Sequence, residues 1–191
     1  MTQETRPAAP IRRRPGRLGA PWRETALVGR LRAAAGSFVF LAVAPGVVAG
    51  LVPWLLTGWD SSDPPVWLQV VGWVVLVAGA AVLVEAFGRF VVEGVGTPAP
   101  VAPTEKLVVG GLYRYVRNPM YLAVAAVILG QAAVFGSWLL VVYALVFGAV
   151  VWSFVHWYEE PVLRRRFGEE YEEYLRTVPG WWPRVRGSPR G

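Results

Sequence analysis

Four long apolar stretches, separated by polar or glycine- and proline-rich segments, dominate the pattern of this chain. They cover about residues 33–56, 66–90, 119–135 and 137–157. A membrane-spanning helix needs roughly 20 mainly apolar residues, so the pattern predicts about four transmembrane helices. The third stretch is the shortest and must begin near the membrane interface. The tripeptide Phe-Gly-Ser at 135–137 predicts a tight turn, which makes the last two helices an antiparallel hairpin.

Beyond the fourth stretch the hydrophobic pattern changes to that of a surface helix. Four large side chains recur at helical spacing, while glutamates occupy the other faces; the large residues are Leu163, Phe167, Tyr171 and Tyr174. This spacing is typical of an amphipathic helix that lies against the membrane or against the rest of the protein. The predicted fold class is therefore an all-α integral membrane protein with about four transmembrane helices and a C-terminal amphipathic cytoplasmic helix.

Polar and helix-breaking residues interrupt the apolar stretches at a few positions. Pro45 and Pro53 predict a kinked first helix, which membranes tolerate. Glu85 is an intramembrane acid and so a functional candidate by default. Its position near the helix end, with Arg89 four residues later on the same face, favours a structural ion pair. Gln131 is expected to form a hydrogen bond between helices.

The composition supports a membrane protein and excludes several kinds of chemistry. Hydrophobic residues make up 54% of the chain and charged residues 17%, whereas soluble domains are about a quarter charged. The chain has no cysteine, which excludes disulfides, thiolate catalysis and cysteine-ligated metals. Its single histidine, His156, makes a histidine-rich metal site improbable, so no metal is expected.

The distribution of positive charge predicts the orientation in the membrane. All 19 Lys and Arg lie in the N-terminal tail, between Arg89 and Arg117, or from Arg164 onward. The segment 57–65 carries two aspartates and no Lys or Arg. By the positive-inside rule, both termini lie in the cytoplasm. The net charge of +6 then needs no nucleic-acid partner, and the basic tail is expected to contact anionic membrane lipids.

These observations divide the chain into three parts. Residues 1–32, rich in Arg, Pro and Ala, are predicted to form a disordered basic cytoplasmic tail. Residues 33–90 contain two transmembrane helices. Residues 91–191 contain a Gly- and Pro-rich loop, the transmembrane hairpin and the C-terminal helix, and form the candidate functional core.

The segment 110–121, Gly-Gly-Leu-Tyr-Arg-Tyr-Val-Arg-Asn-Pro-Met-Tyr, joins a polar loop to the hairpin. Pro119 fits the first turn of a helix, and Asn118 before it is a good N-cap. A helix N-terminus, the arginine Arg117 and several tyrosines together can hold a charged group of a small ligand. The alternative is a juxtamembrane anchor, with Arg and Tyr at the lipid headgroups.

Two acids, Glu159 and Glu160, lie where the fourth apolar stretch leaves the membrane. They should be close to the basic segment 110–121, which lies at the same end of the hairpin. Glu160 can act as a ligand-binding group or can pair on the surface with Arg164. The glutamates at 169–173 are instead expected on a solvated helix face.

Taken together, the segment 110–121, the hairpin, Glu-Glu-Pro-Val-Leu at 159–163, Phe-Gly-Glu-Glu-Tyr-Glu-Glu-Tyr at 167–174 and Val-Pro at 178–179 resemble the isoprenylcysteine carboxyl methyltransferase family. The Gly-Thr-Pro-Ala-Pro loop at 96–100 resembles the bacterial members, which implies a bacterial inner or plasma membrane. The resemblance implies an S-adenosylmethionine-dependent methyltransferase acting on a lipid-like or prenylated acceptor. It also implies that the cofactor is bound by Tyr113, Arg117, Asn118, Pro119, Tyr121, Glu159 and Glu160.

This chain departs from the eukaryotic family pattern at several positions. Asn118 stands where His is frequent, Ala123 where Gly is common, and Val155 and His156 where an arginine is typical. The departures leave the acceptor open, and a prenylated protein terminus is one lipophilic acceptor among others. No catalytic residue is assigned, because methyl transfer needs alignment more than a strong acid or base.

Two other kinds of protein fit parts of the pattern. A membrane reductase of the sterol-reductase type has a similar C-terminal part and would use NADPH, but the short N-terminal half argues against a full enzyme of that kind. A non-enzymatic scaffold or small transporter is the second alternative. A transporter normally needs polar groups in the middle of the membrane, whereas here they gather at the cytoplasmic edge.

Overall fold

The computed structural model describes residues 43–93 and 106–183, and within these ranges the chain is helical, with no strand. Five helices follow one another in the chain: α1 (Val43–Thr57), α2 (Val66–Glu93), α3 (Pro119–Phe135), α4 (Trp138–Phe167) and α5 (Glu169–Thr177). A short 3₁₀ turn, Gly111–Arg114, precedes α3. The predicted all-helical class is confirmed for the described residues. The predicted tail 1–32 and most of the Gly- and Pro-rich loop lie outside them.

Two of the helices are long and apolar enough to cross a membrane. They are Val66–Arg89 within α2 and Trp138–Phe167, which is α4, each with a mean hydropathy of 2.3. Helices α1 and α3 are apolar but shorter. Large apolar side chains such as Trp67, Leu145 and Val150 point away from the protein interior. An outward apolar surface of this kind suits a hydrocarbon environment.

Helices α2 and α3 approach each other closely because glycines meet at the crossing. A Cβ atom on Gly72 would lie 2.7 Å from the backbone nitrogen of Val134, and one on Gly130 would lie 2.7 Å from that of Leu76. Small residues allow this backbone-to-backbone approach, which is how apolar helices associate where no hydrophobic driving force separates them from lipid. The contact fixes α3, whose first turn carries several candidate site residues.

The predicted turn between α3 and α4 is present. Helix α3 ends at Phe135, and Gly136 adopts a left-handed conformation with φ of 65°. Its N–H donates to the carbonyl of Ala132, which satisfies a carbonyl at the helix end. Ser62, from the segment between α1 and α2, donates its backbone N–H to the carbonyl of Phe135 at 3.0 Å. The two helix connections at this end therefore support each other.

The predicted side-chain contacts within the apolar stretches are confirmed. Gln131 in α3 donates from Nε2 to the carbonyl of Ala49 in α1 at 2.6 Å. In α2, Arg89 Nε lies 3.1 Å from Glu85 Oε1. The kink in α1 stays a prediction, and the structure shows a π-helical turn, Val47–Leu51, just before Pro53.

Replacing Gly130 by Ala should separate α2 from α3, because the new methyl group would meet the backbone of Leu76. Overpacking of this kind costs about 1–3 kcal/mol of unfolding free energy. The matched control is Gly148→Ala in α4, where the added Cβ meets nothing within 4 Å. Thermal unfolding in detergent should show a lower Tm for G130A than for G148A. Equal Tm values for the two variants would contradict the glycine contact.

Candidate functional site

A polar cleft lies at the end of the helix hairpin where α3 begins and the π-helical turn of α4 ends. Its walls come from the segment 107–121, from α4 and from α5. All seven site residues predicted from the sequence line it: Tyr113, Arg117, Asn118, Pro119, Tyr121, Glu159 and Glu160. The structure therefore brings together two blocks that are separated in sequence by the whole hairpin. We call this space the polar cleft.

An ion pair between Arg117 and Glu160 crosses the polar cleft. Arg117 Nη1 donates to Glu160 Oε1 at 2.8 Å, and the two side chains are only 17% and 16% exposed. A charge-assisted bond this short, in partial burial, is stronger than a surface pair. Arg117 Nε is buried and has no hydrogen-bond partner among the described residues. Arg117 therefore lines the cleft with a guanidinium group whose Nη1 is bonded to Glu160.

The alternative surface role for Glu160 is wrong. The sequence allowed a pair between Glu160 and Arg164, but Arg164 Nε instead contacts Glu172 Oε1 at 3.1 Å. These two side chains are 52% and 45% exposed. Glu160 therefore belongs to the cleft, and the exposed Arg164–Glu172 pair joins α4 to α5 on the outer surface.

The second acid, Glu159, is bonded to the first turn of α3. Tyr121 donates its hydroxyl proton to Glu159 Oε2 at 3.1 Å. Because Tyr121 and Glu159 both line the polar cleft, this bond places a carboxylate and a phenol ring side by side. The carboxylate retains a second oxygen that can accept a further hydrogen bond.

The direction of both acids follows from a π-helical turn in α4. Residues Val155–Glu159 form this turn, and the N–H of Glu160 donates to the carbonyl of Val155, five residues earlier. Pro161 follows at once and has no N–H of its own. A π turn rotates the side chains after it relative to those before it. Glu159 and Glu160 thus line the cleft, whereas Trp157 is exposed.

The prediction that the Asn118 side chain caps α3 is wrong. The side chain makes no capping bond, and its Nδ2 donates to the carbonyl of Gly180 at 3.1 Å. The backbone N–H of Arg117 donates in the same way to the carbonyl of Pro179 at 2.9 Å. Asn118 thus serves as a donor to a returning segment, 178–182, which we call the C-terminal strap.

Tyrosines Tyr171 and Tyr174 of α5 also line the polar cleft, although the sequence placed them only on the buried face of a surface helix. Tyr174 donates its hydroxyl to the carbonyl of Tyr113 at 2.7 Å. Burial raises the pKa of Tyr171 to about 12 and also raises the pKa values of Tyr174 and Tyr113. All three phenols are therefore neutral at physiological pH. In the sequence, the helical spacing of Tyr171 and Tyr174 with Leu163 and Phe167 was the sign that these two side chains face inward.

Other charged groups predicted near the site lie outside the polar cleft. Arg114 lines a neighbouring surface groove between the 3₁₀ turn and α5. The Glu85–Arg89 pair lies against Gly111, whose φ of 54° and contact with both side chains leave no room for a Cβ atom. Among the described residues, no cluster of three or more His, Asp or Glu could hold a metal ion.

A second cleft, lined mainly by apolar side chains, adjoins the polar cleft. Residues from α1, α3 and α4 line this apolar cleft: Ala44, Pro45, Val48, Met120, Tyr121, Val124 and Phe147. Met120 and Tyr121 line both clefts. A cleft lined in part by charged side chains therefore adjoins a cleft lined mainly by apolar ones, and only Met120 and Tyr121 line both.

The described residues thus form a helical protein with two candidate membrane spans and two adjoining clefts of different polarity. Residues 67–170 match the family model described as phospholipid methyltransferase, and the chain belongs to this family. It is 35% identical over 82 residues to protein-S-isoprenylcysteine O-methyltransferase from Schizosaccharomyces pombe. The match covers 41% of this chain and 34% of that relative, so the chain spans about a third of the relative's length. The resemblance drawn from the sequence motifs is thereby confirmed, and methyltransferases of this family use S-adenosylmethionine in general.

Replacing Arg117 by Gln should destabilise the protein strongly, because it leaves the carboxylate of Glu160 poorly exposed and without its charged partner. Removal of one partner from a partly buried pair of this kind costs about 1–3 kcal/mol, between the values for exposed and fully buried pairs. The same substitution at Arg164 removes the exposed pair with Glu172 and should cost at most about 1 kcal/mol. Denaturant unfolding of R117Q and R164Q in detergent measures the difference. A cost for R117Q no larger than that for R164Q would show that the cleft pair is energetically a surface pair.

Proposed function

We propose that this chain is an integral membrane methyltransferase that uses S-adenosylmethionine to methylate a lipophilic acceptor, as an isoprenylcysteine carboxyl methyltransferase does. The observation that carries the proposal is the contact between the polar and apolar clefts at Met120 and Tyr121. A methyl transfer between a charged cofactor and a lipid-like acceptor needs both environments to meet at one point. The family and the named relative support the same reaction class.

The residues of the polar cleft fit the chemical groups of S-adenosylmethionine. The positive charge of Arg117, which lines the cleft, can attract the cofactor's carboxylate. The carboxylates of Glu159 and Glu160 can accept from ribose hydroxyls or the ammonium group. Neutral tyrosine rings suit a sulfonium, because the face of an aromatic ring attracts a cation. When bound, the cofactor supplies the methyl group and leaves as S-adenosylhomocysteine.

Alignment is the main contribution that the chain makes to this reaction. Transfer from a sulfonium is an in-line displacement, and holding both reactants in line can contribute most of the rate enhancement. The bond from Tyr121 to Glu159 fixes the side chain that faces both clefts. Neither carboxylate needs to remove a proton if the acceptor is itself a carboxylate, as in an isoprenylcysteine. No catalytic acid or base is therefore assigned.

The hydrocarbon part of the acceptor occupies the apolar cleft in this proposal. That cleft is formed mostly by aliphatic and aromatic side chains, and Val124 and Phe147 form part of its walls. The relative is named for a prenylated cysteine, and the family model is described by phospholipid. Both acceptors carry long hydrocarbon chains, and the carboxyl-bearing isoprenylcysteine is the acceptor proposed here.

The proposed enzyme spans the membrane four times, with both termini in the cytoplasm of a bacterial cell. The apolar helices α1 and α3 support two spans in addition to α2 and α4. The segment between α1 and α2 carries Asp60 and Asp63 and no basic residue, as expected for the outer side. Helix α5 is then the amphipathic cytoplasmic helix, since it buries Tyr171 and Tyr174 and exposes glutamates. Residues 91–191 form the methyltransferase core, 33–90 the first two spans, and 1–32 a basic cytoplasmic tail.

S-adenosylhomocysteine should bind the purified protein and raise its Tm, because a ligand of the folded state stabilises it by mass action. At a ligand concentration about a hundredfold above Kd, the stabilisation is about 2.7 kcal/mol. NADPH serves as the control, since the reductase alternative requires it. A Tm shift with NADPH and none with S-adenosylhomocysteine would contradict the proposed cofactor.

Replacing Glu160 by Gln should weaken the binding of S-adenosylhomocysteine by roughly ten- to a hundredfold, because the neutral amide cannot form a charge-assisted bond. Calorimetric titration well below the Tm separates this loss from the lower stability expected when Arg117 loses its partner. Glu170→Gln is the control, since Glu170 is exposed on α5 outside the polar cleft. Equal affinities for the wild type and both variants would remove Glu160 from the cofactor site.

A further inference from the structure

Helix α1 lacks a hydrogen-bond donor at the point where it forms the wall of the apolar cleft. In its π-helical turn, Val47–Leu51, the N–H of Val52 donates to the carbonyl of Val47. The next residue is Pro53, which is fully buried and has no N–H. In an α-helical pattern residue 53 would donate to Ala49, and in a π-helical pattern it would donate to Val48. Neither carbonyl can receive that bond.

Side chains from two other helices donate to these carbonyls instead. Tyr143 of α4 donates its hydroxyl to the carbonyl of Val48 at 2.8 Å. Gln131 of α3 donates its amide to the carbonyl of Ala49 at 2.6 Å. Trp59, which follows α1, donates its indole N–H to Gln131 Oε1 at 3.1 Å and fixes the direction of the amide. In hydrocarbon, an unsatisfied backbone carbonyl costs several kcal/mol, so the two bonds hold α1 in place.

These bonds lie next to the apolar cleft. Val48, whose carbonyl accepts from Tyr143, lines the cleft. Phe147, on the opposite wall, lies about one helical turn after Tyr143 in α4. Val124 lies about two turns before Gln131 in α3. Each bond therefore ties α1 to a helix that forms another wall of the same cleft.

We propose that Tyr143 and Gln131 are positioning residues that fix the α1 wall of the apolar cleft and thereby set which hydrocarbon chains the acceptor site accepts. The acceptor part of this inference rests on the proposed function. The positioning part rests on the two bonds alone. Neither residue lines the polar cleft, so neither contributes directly to cofactor binding.

The first experiment measures the position of α1 without any activity. Because the chain has no cysteine, spin labels can be attached at L55C in α1 and L145C in α4, whose side chains are 66% and 69% exposed. The distance distribution between the labels should be narrow in otherwise wild-type protein. It should broaden in Tyr143→Phe and in Gln131→Leu. A distribution that stays narrow in both variants overturns the proposal, whatever the enzyme does.

A matched control comes from Gln69, whose amide donates to the carbonyl of Pro64 at 2.8 Å at the start of α2. Gln69→Leu also removes an amide-to-carbonyl bond, but it leaves α1 untouched and should keep the distribution narrow. A rescue variant tests the cause more directly. Pro53→Ala restores a backbone N–H at residue 53, so the Tm drop caused by Q131L should be smaller in the P53A background. An equal drop in both backgrounds contradicts the role of the orphaned carbonyls.

The second experiment compares isoprenylcysteine acceptors of increasing chain length. Y143F and Q131L should raise the KM for the best acceptor several-fold and should flatten the preference among chain lengths, because an α1 wall that is no longer fixed does not select one length. The KM for S-adenosylmethionine should stay unchanged. A general loss of structure would instead change the KM for both substrates. An unchanged length preference despite broadened distances overturns the acceptor role. If the wild-type protein methylates no acceptor, the acceptor role is overturned as well. If the label distances nevertheless behave as expected, the positioning role stands and the proposed function is the hypothesis that has failed.

Discussion

The ion pair between Arg117 and Glu160 is the constraint on which the geometry of the polar cleft depends. It joins the segment before α3 to the residue that follows the π-helical turn of α4, with 2.8 Å between Arg117 Nη1 and Glu160 Oε1 and little exposure of either side chain. Two partly buried charges are tolerated only when each satisfies the other. The backbone N–H of the same arginine donates to the carbonyl of Pro179 in the C-terminal strap. One side chain and its own backbone thus hold three separate parts of the chain around a common space.

Much of this arrangement could be predicted from the sequence, because its signals are local. The bounds of α3 and the turn at Gly136 follow from an apolar stretch with Pro at its start and Gly at its end. The Glu85–Arg89 pair follows from i,i+4 spacing. The resemblance to the family's motifs predicted the seven site residues, and in the structure all seven line one cleft. Periodicity and short spacings specify these features without knowledge of the tertiary contacts.

The features that were missed depend on partners far away in the chain. Asn118 has the sequence context of an N-cap, yet its amide donates to Gly180 because the C-terminal strap returns to that point. Tyr174 was expected only to pack, but its hydroxyl reaches the carbonyl of Tyr113. No local pattern specifies where a returning segment will lie.

Both π-helical turns stand in the same relation to a proline, and this has a consequence for the helical register. Pro53 and Pro161 each follow the last residue of a π turn by two positions. Each proline lies in the first turn of the α-helical segment that resumes after the π turn, where it has no N–H to donate. If the turn Val155–Glu159 were wound as an α-helix, the side chains after it would be turned by about 100° about the helix axis relative to those before it. The ion pair between Arg117 and Glu160 therefore depends on the wider helical turn just before Glu160 as well as on the two charges.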